Sequence, residues 1–169
     1  MIKSNKYLAV IFFLLLLLPV HARAQTAAEM DTMLGATEVS AAGAARFVLG
    51  AAELLPPGLS GAAAESAAYE MARSKGWIKA AASDAISLKE TAFLLMNAFE
   101  LKGGAMYSLF HNPRYAYREM VYRKLIQGAS DPDMKVSGIR FLQILGRTLS
   151  YSGENELVDA ELRATGGVN

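Results

Sequence analysis

The sequence contains no cysteine. That excludes disulfides, a thiolate metal centre, a cysteine nucleophile and a lipid-modified cysteine. Charge of one sign is also missing: 17 Lys and Arg stand against 16 Asp and Glu. A nucleic-acid protein would carry a concentrated basic face, so this balance argues against one. β-branched residues are sparse, and no stretch alternates apolar with polar residues as a half-buried strand would. Long apolar runs are lacking too, with one exception at the N-terminus.

That exception is Leu8 to Val20, an almost unbroken apolar run. Lys3 and Lys6 precede it, and Ala22-Arg23-Ala24 follows with small residues at the minus-three and minus-one positions. Positive start, apolar middle and small-residue end in that order predict a signal peptide, residues 1–24, cleaved after Ala24. The run is short of the roughly 20 apolar residues that a spanning helix needs. Cleavage removes Lys3, Lys6 and Arg23 but no acid. The 17 basic residues then fall to 14 against 16 acids, a net charge of −2. The expected product is an exported protein of the periplasm or cell envelope, with no transmembrane segment in the mature chain. Its stability must then come from a packed core, for which its length suffices.

Alanine, leucine, methionine and glutamate dominate the mature chain, and all are good helix formers. The predicted helices are Ser40–Leu54, Ala62–Lys75, Ser87–Leu101, Pro113–Lys124 and Ser137–Ser150. Pro56-Pro57, Gly76, Gly103-Gly104 and Gly153 punctuate them. Asn112 before Pro113 is a favourable N-cap followed by proline at the first helical position. Residues 153–169 read as a polar C-terminal tail, with a frayed helix over Glu154–Arg163.

Three of these helices open on the same pair, an apolar β-branched residue and a serine: Val39-Ser40, Ile86-Ser87 and Val136-Ser137. Aligned on the serines, Phe47, Leu94 and Ile144 share a column, as do Val48, Leu95 and Leu145. Upstream, Ala68-Tyr69 and Gly76-Trp77-Ile78 match Ala116-Tyr117 and Lys124-Leu125-Ile126 at an offset of 48. The first copy keeps a stub of this half, Leu34-Gly35-Ala36. Self-similarity at such a period marks a repeat architecture. The repeats run over about residues 28–55, 62–102 and 112–151, within a domain of residues 25–152. The shared serine has a structural use, because it can accept from an orphan first-turn amide. Ser87 and Glu90 have the capping-box form, and the preceding Ile or Val can act as a hydrophobic staple.

An Ala-rich first helix, a loop and an apolar-Ser/Thr-x-x-Glu-like helix start, in two complete copies and one truncated at its start, resemble the S-layer homology (SLH) module. The resemblance covers residues 33–151. It implies an all-α fold in which three helix-loop-helix repeats pack as a pseudo-threefold helical bundle. It also implies a cell-wall polymer as ligand, held between modules, with Ser40, Ser87, Glu90 and Ser137 at the ligand-binding positions. At the motif's arginine position stand Ala41, Leu88 and Gly138; Gly43 and Arg140 replace the glutamate in the outer copies. A protein-interaction adaptor that kept this scaffold without the glycan site is the alternative.

No constellation for catalysis emerges, and neither a cofactor nor a metal is predicted. His111, the one histidine outside the leader, sits among Tyr107, Phe110 and Tyr115, where packing or hydrogen bonding is its expected role. Asp131-Pro132-Asp133 lacks the further oxygens and the glycine of a calcium loop and reads as a turn. Gly58-Leu59-Ser60-Gly61-Ala62 lacks the closing glycine and the preceding strand of a nucleophile elbow. The basic and aromatic helix after Pro113 is a candidate binding face, through Arg114, Tyr117, Arg118 and Tyr122. Its tyrosines can equally pack in the core while its arginines stay solvated. The expected partner is a cell-wall polymer or an envelope protein, not nucleic acid.

Overall fold

A computed structural model of the chain describes residues 27–128 and 131–165. The expected leader, residues 1–24, lies outside the described residues, as do Ala129 and Ser130. The fold is all-α. In chain order the helices are α1 (27–35), α2 (Ala41–Ala51), α3 (Gly61–Ser74), α4 (Leu88–Ala98), α5 (Ala105–Phe110), α6 (Pro113–Tyr122) and α7 (Gly138–Thr165). Extended pairing among the described residues is confined to two isolated bridges, Ser40 with Ala85 and Ser87 with Lys135. No helix among those residues is long and apolar enough to cross a membrane.

Local chemistry explains where the helices start. Ser40 Oγ accepts from the Gly43 amide at 3.0 Å. Ser87 and Glu90 form a complete capping box. Asn112 Oδ1 accepts from the Arg114 and Tyr115 amides at 3.1 and 3.2 Å, with Pro113 in the first turn. The stops are equally ordered. At the end of α2, Ala52, Glu53 and Leu54 donate to Val48, Gly50 and Leu49. At the end of α4, Phe99, Glu100 and Leu101 donate to Leu95, Asn97 and Met96, the same pattern 47 residues on. Both are Schellman closures, and both put a glutamate at positive φ, Glu53 at 56° and Glu100 at 49°. The ends of α3 and α6 repeat likewise at an offset of 48, with Gly76 and Lys124 at positive φ.

A circuit of main-chain bonds joins the three serine-initiated helices. The first amide of α2, from Ala41, donates to Asp84 O at 2.8 Å. That of α4, from Leu88, donates to Met134 O at 2.9 Å. That of α7, from Gly138, donates to Ala36 O at 2.8 Å, which returns to the loop before α2. Inside this ring Val39 N–H donates to Val136 O and Ile86 N–H to Val39 O, both at 2.8 Å. The three β-branched residues Val39, Ile86 and Val136 are buried. A helix ordinarily leaves its first amides to water or to side chains; here the partners are loops of neighbouring copies.

Helices α2, α4 and α7 each touch the other two, while α3 lies along α2 and α6 along α4. Each of α2 and α4 thus pairs most closely with a helix that follows it, across the boundary of the sequence unit. The connection explains this. Pro56-Pro57-Gly58 reverses the chain over a few residues, whereas loop carbonyls before α4, from Ala82 and Asp84, accept from α2. Of the aligned columns, Val48, Leu94, Leu95, Ile144 and Leu145 are buried, while Phe47 is partly buried and packed against them. Phe47 meets Phe141 edge to face, with centroids 6.4 Å apart.

Three elements differ from the sequence expectation. Helix α1 extends before the Leu34-Gly35-Ala36 stub, and α5 forms between Gly104 and His111, where a loop is expected. Helix α7 does not end near Gly153 but runs to Thr165. At the register of Glu53 and Glu100 the third copy has Ser150, which stays helical, and no proline follows to enforce a stop.

Candidate functional site

The serines and the glutamate singled out by the repeat are placed at the helix starts, and the side chains of Ser40, Ser87 and Glu90 are hydrogen-bonded there. Ser87 is buried and its Oγ bonds Glu90 Oε2 at 2.9 Å. Glu90 Oε1 also accepts from the Lys79 and Ala80 amides at 3.3 and 3.2 Å, so one carboxylate caps α4 and pins the loop before it. Ser40 is half-buried at the start of α2, and Ser137 O accepts from Phe141 N–H at 2.8 Å. These residues order the ring of helix starts. The loops are tied to it by side chains as well: Lys89 pairs with Asp133, and Lys135 Nζ donates to Ala85 O at 2.8 Å.

Beside Ser40 the structure holds a cavity of about 470 Å³, enclosed by α1 and the starts of α2 and α3. Met33, Val39 and Phe47 make its walls largely apolar, while Glu29, Glu65 and Arg46 supply charge. Arg46 Nη2 reaches Glu29 Oε2 at 3.4 Å. Its Nε is buried with no hydrogen-bond partner among the described residues. The guanidinium lies against Gly50, where a Cβ would come within 2.8 Å of Nη1. An apolar concavity with a few charged groups is the usual form of a small-ligand site. The sequence signal for it is faint: one arginine in an alanine-rich helix, whose partner on α1 is 17 residues away.

A second cavity, about 370 Å³, contains Asn97, Tyr107 and His111. His111 Nε2 lies 3.0 Å from Asn97 Oδ1, and its ring packs on Phe93 and Tyr107 with centroids 5.3 and 4.8 Å apart. Burial pushes the Tyr107 phenol up to about 12, opposed in part by its hydrogen bond with Asn97. The imidazole's polar contact is an amide rather than a carboxylate, an arrangement suited to packing and orientation.

The basic and aromatic helix divides into two faces. Arg114, Arg118 and Tyr122, spaced four apart, are exposed together. Tyr115 and Tyr117 are both half-buried and pack against the core. Tyr115 also stacks on Phe110 at 5.2 Å, with the Arg118 guanidinium 5.8 Å from its ring centre. Arg123 is structural. It bonds Glu119 at 2.8 Å, the Tyr151 hydroxyl at 2.8 Å and the Lys102 carbonyl, tying α6 to α7 and to the loop after α4. Comparison with protein-family models, with curated proteins and with solved structures finds no match to this chain.

Proposed function

We propose that this chain is an exported, non-enzymatic envelope protein whose three helix-loop-helix copies pack as an SLH-like pseudo-threefold bundle. It binds peptidoglycan or another cell-wall polymer, or holds a structural place in the envelope. The observation that carries this reading is the closed circuit of Ala41, Leu88 and Gly138 amides on the loops of neighbouring copies. A circuit of that kind needs three copies and brings the three serine-led helix starts into one ring. The cavity beside Ser40 takes Val39 and Ser40 of that ring into its lining. Its Arg46 stands outside the motif position, where Ala41, Leu88 and Gly138 offer no cation.

The adaptor reading draws on a different observation. Glu90, the glutamate that matches the motif, spends its carboxylate on internal amides and on Ser87. A scaffold kept for its shape, and no longer used to hold a wall polymer, would carry the same bonds. Co-sedimentation of residues 25–169 with purified cell-wall sacculi separates the two. Wall binding predicts that the protein pellets with sacculi at low salt and that Arg46→Gln weakens this. Protein left in the supernatant refutes wall binding and leaves the adaptor.

A further inference from the structure

We propose that the corner formed by α5 and the exposed face of α6 docks on an anionic phospholipid surface. The observations come from both helices. Met106, Leu109 and Phe110 lie on α5 and are 49, 73 and 50% exposed. Met106 is one turn from Phe110, so these side chains share one side of the helix. The stack of Phe110 on Tyr115, and of Tyr115 under Arg118, carries the apolar surface directly onto α6. There Arg114 and Arg118 are exposed, and neither has an ion-pair partner among the described residues. Tyr122, one turn beyond Arg118, is 84% exposed.

Large apolar side chains standing out beside unpaired arginines, with tyrosine at the margin, match the chemistry of a bilayer interface. Apolar tips enter the acyl boundary, guanidinium groups meet phosphate, and tyrosine sits at headgroup level. Arginine suits this because its apolar stem packs along the buried surface while its head stays with phosphate. The charge selects anionic lipid over neutral lipid. A six-residue helix contributes three apolar side chains that stand about half or more exposed, Leu109 the most. The candidate polymer cavity lies elsewhere, against α1, so the two surfaces are separable.

The test is flotation of residues 25–169 with vesicles. The described core lies between Met33 and Leu145, so this span contains it entire. Two vesicle compositions are used, phosphatidylethanolamine with phosphatidylglycerol, and phosphatidylcholine alone. The protein should float with the first and not the second, and added salt should release it. Arg114→Gln with Arg118→Gln should lower partitioning about 25-fold, about fivefold for each cation. Leu109→Ser should lower it about tenfold or more. All three side chains are exposed, and an unchanged helical circular-dichroism spectrum verifies that the variants fold. Absence of flotation, equal flotation with phosphatidylcholine, or flotation unaffected by either variant overturns the proposal. Self-association abolished by the same variants, without vesicle binding, would assign the face to a second copy of the chain and equally overturn it.

Discussion

Gly138 opens α7 at the point where its amide reaches Ala36 O. A Cβ there would fall 1.5 Å from Met33 O, a collision with main chain that no rotamer relieves. The matching positions in the other copies carry side chains, Ala41 and Leu88. In the sequence this glycine reads only as a mismatch to the motif; the reason for it lies in α1, a distant segment. Gly138→Ala is expected to destabilise the fold by about 3 kcal/mol, the upper part of the usual range for overpacking. Chemical denaturation would show this as a lower midpoint. Glu90 carries the opposite lesson: its local capping box is legible from Ser87-Leu88-Lys89-Glu90, whereas its bonds to Lys79 and Ala80 are not, since they depend on how the loop returns.

The helices that announce themselves are those with a start or a stop written nearby. Helix α6 has Asn112 and Pro113 at one end, and α3 has Gly76 at the other. Helix α5 escapes the sequence because six residues are too few for a period to register, and its Gly104 start supplies no side-chain cap. The long α7 extends past its expected end because Gly153 only resembles a stop; a lone glycine costs a helix about 1 kcal/mol and does not by itself end it. The stops also retain unused stability. Lys124 has φ of 60° at the position where the equivalent turn has Gly76. A non-glycine residue in that region costs about 1–2 kcal/mol, part of which glycine returns through a freer unfolded chain. Lys124→Gly should therefore stabilise the protein by about 0.5–1 kcal/mol and raise its melting temperature, as differential scanning calorimetry would read.

The all-α class and most of the core columns are readable because they rest on residues that recur: the β-branched residue, the serine and the paired large apolar positions. The site is less readable. Arg114, Arg118 and Tyr122 are on one exposed face as their spacing implies, but Tyr117 is half-buried against the core, as is Tyr115, whose stack on Phe110 no spacing announces. The cavity around Arg46 joins residues from three helices, an encounter with no sequence period.

The organisation proposed for the molecule depends on its copies being closed on one another through the helix-start ring, so that none opens alone. Native-state hydrogen exchange at Ala41, Leu88 and Gly138 measures this, because first-turn amides exchange quickly when water is their partner. If the ring is one cooperative unit, all three amides are protected and share one opening free energy, equal to that of global unfolding. If one of the three exchanges freely while the others stay protected, the ring is not closed and the three-copy bundle is wrong.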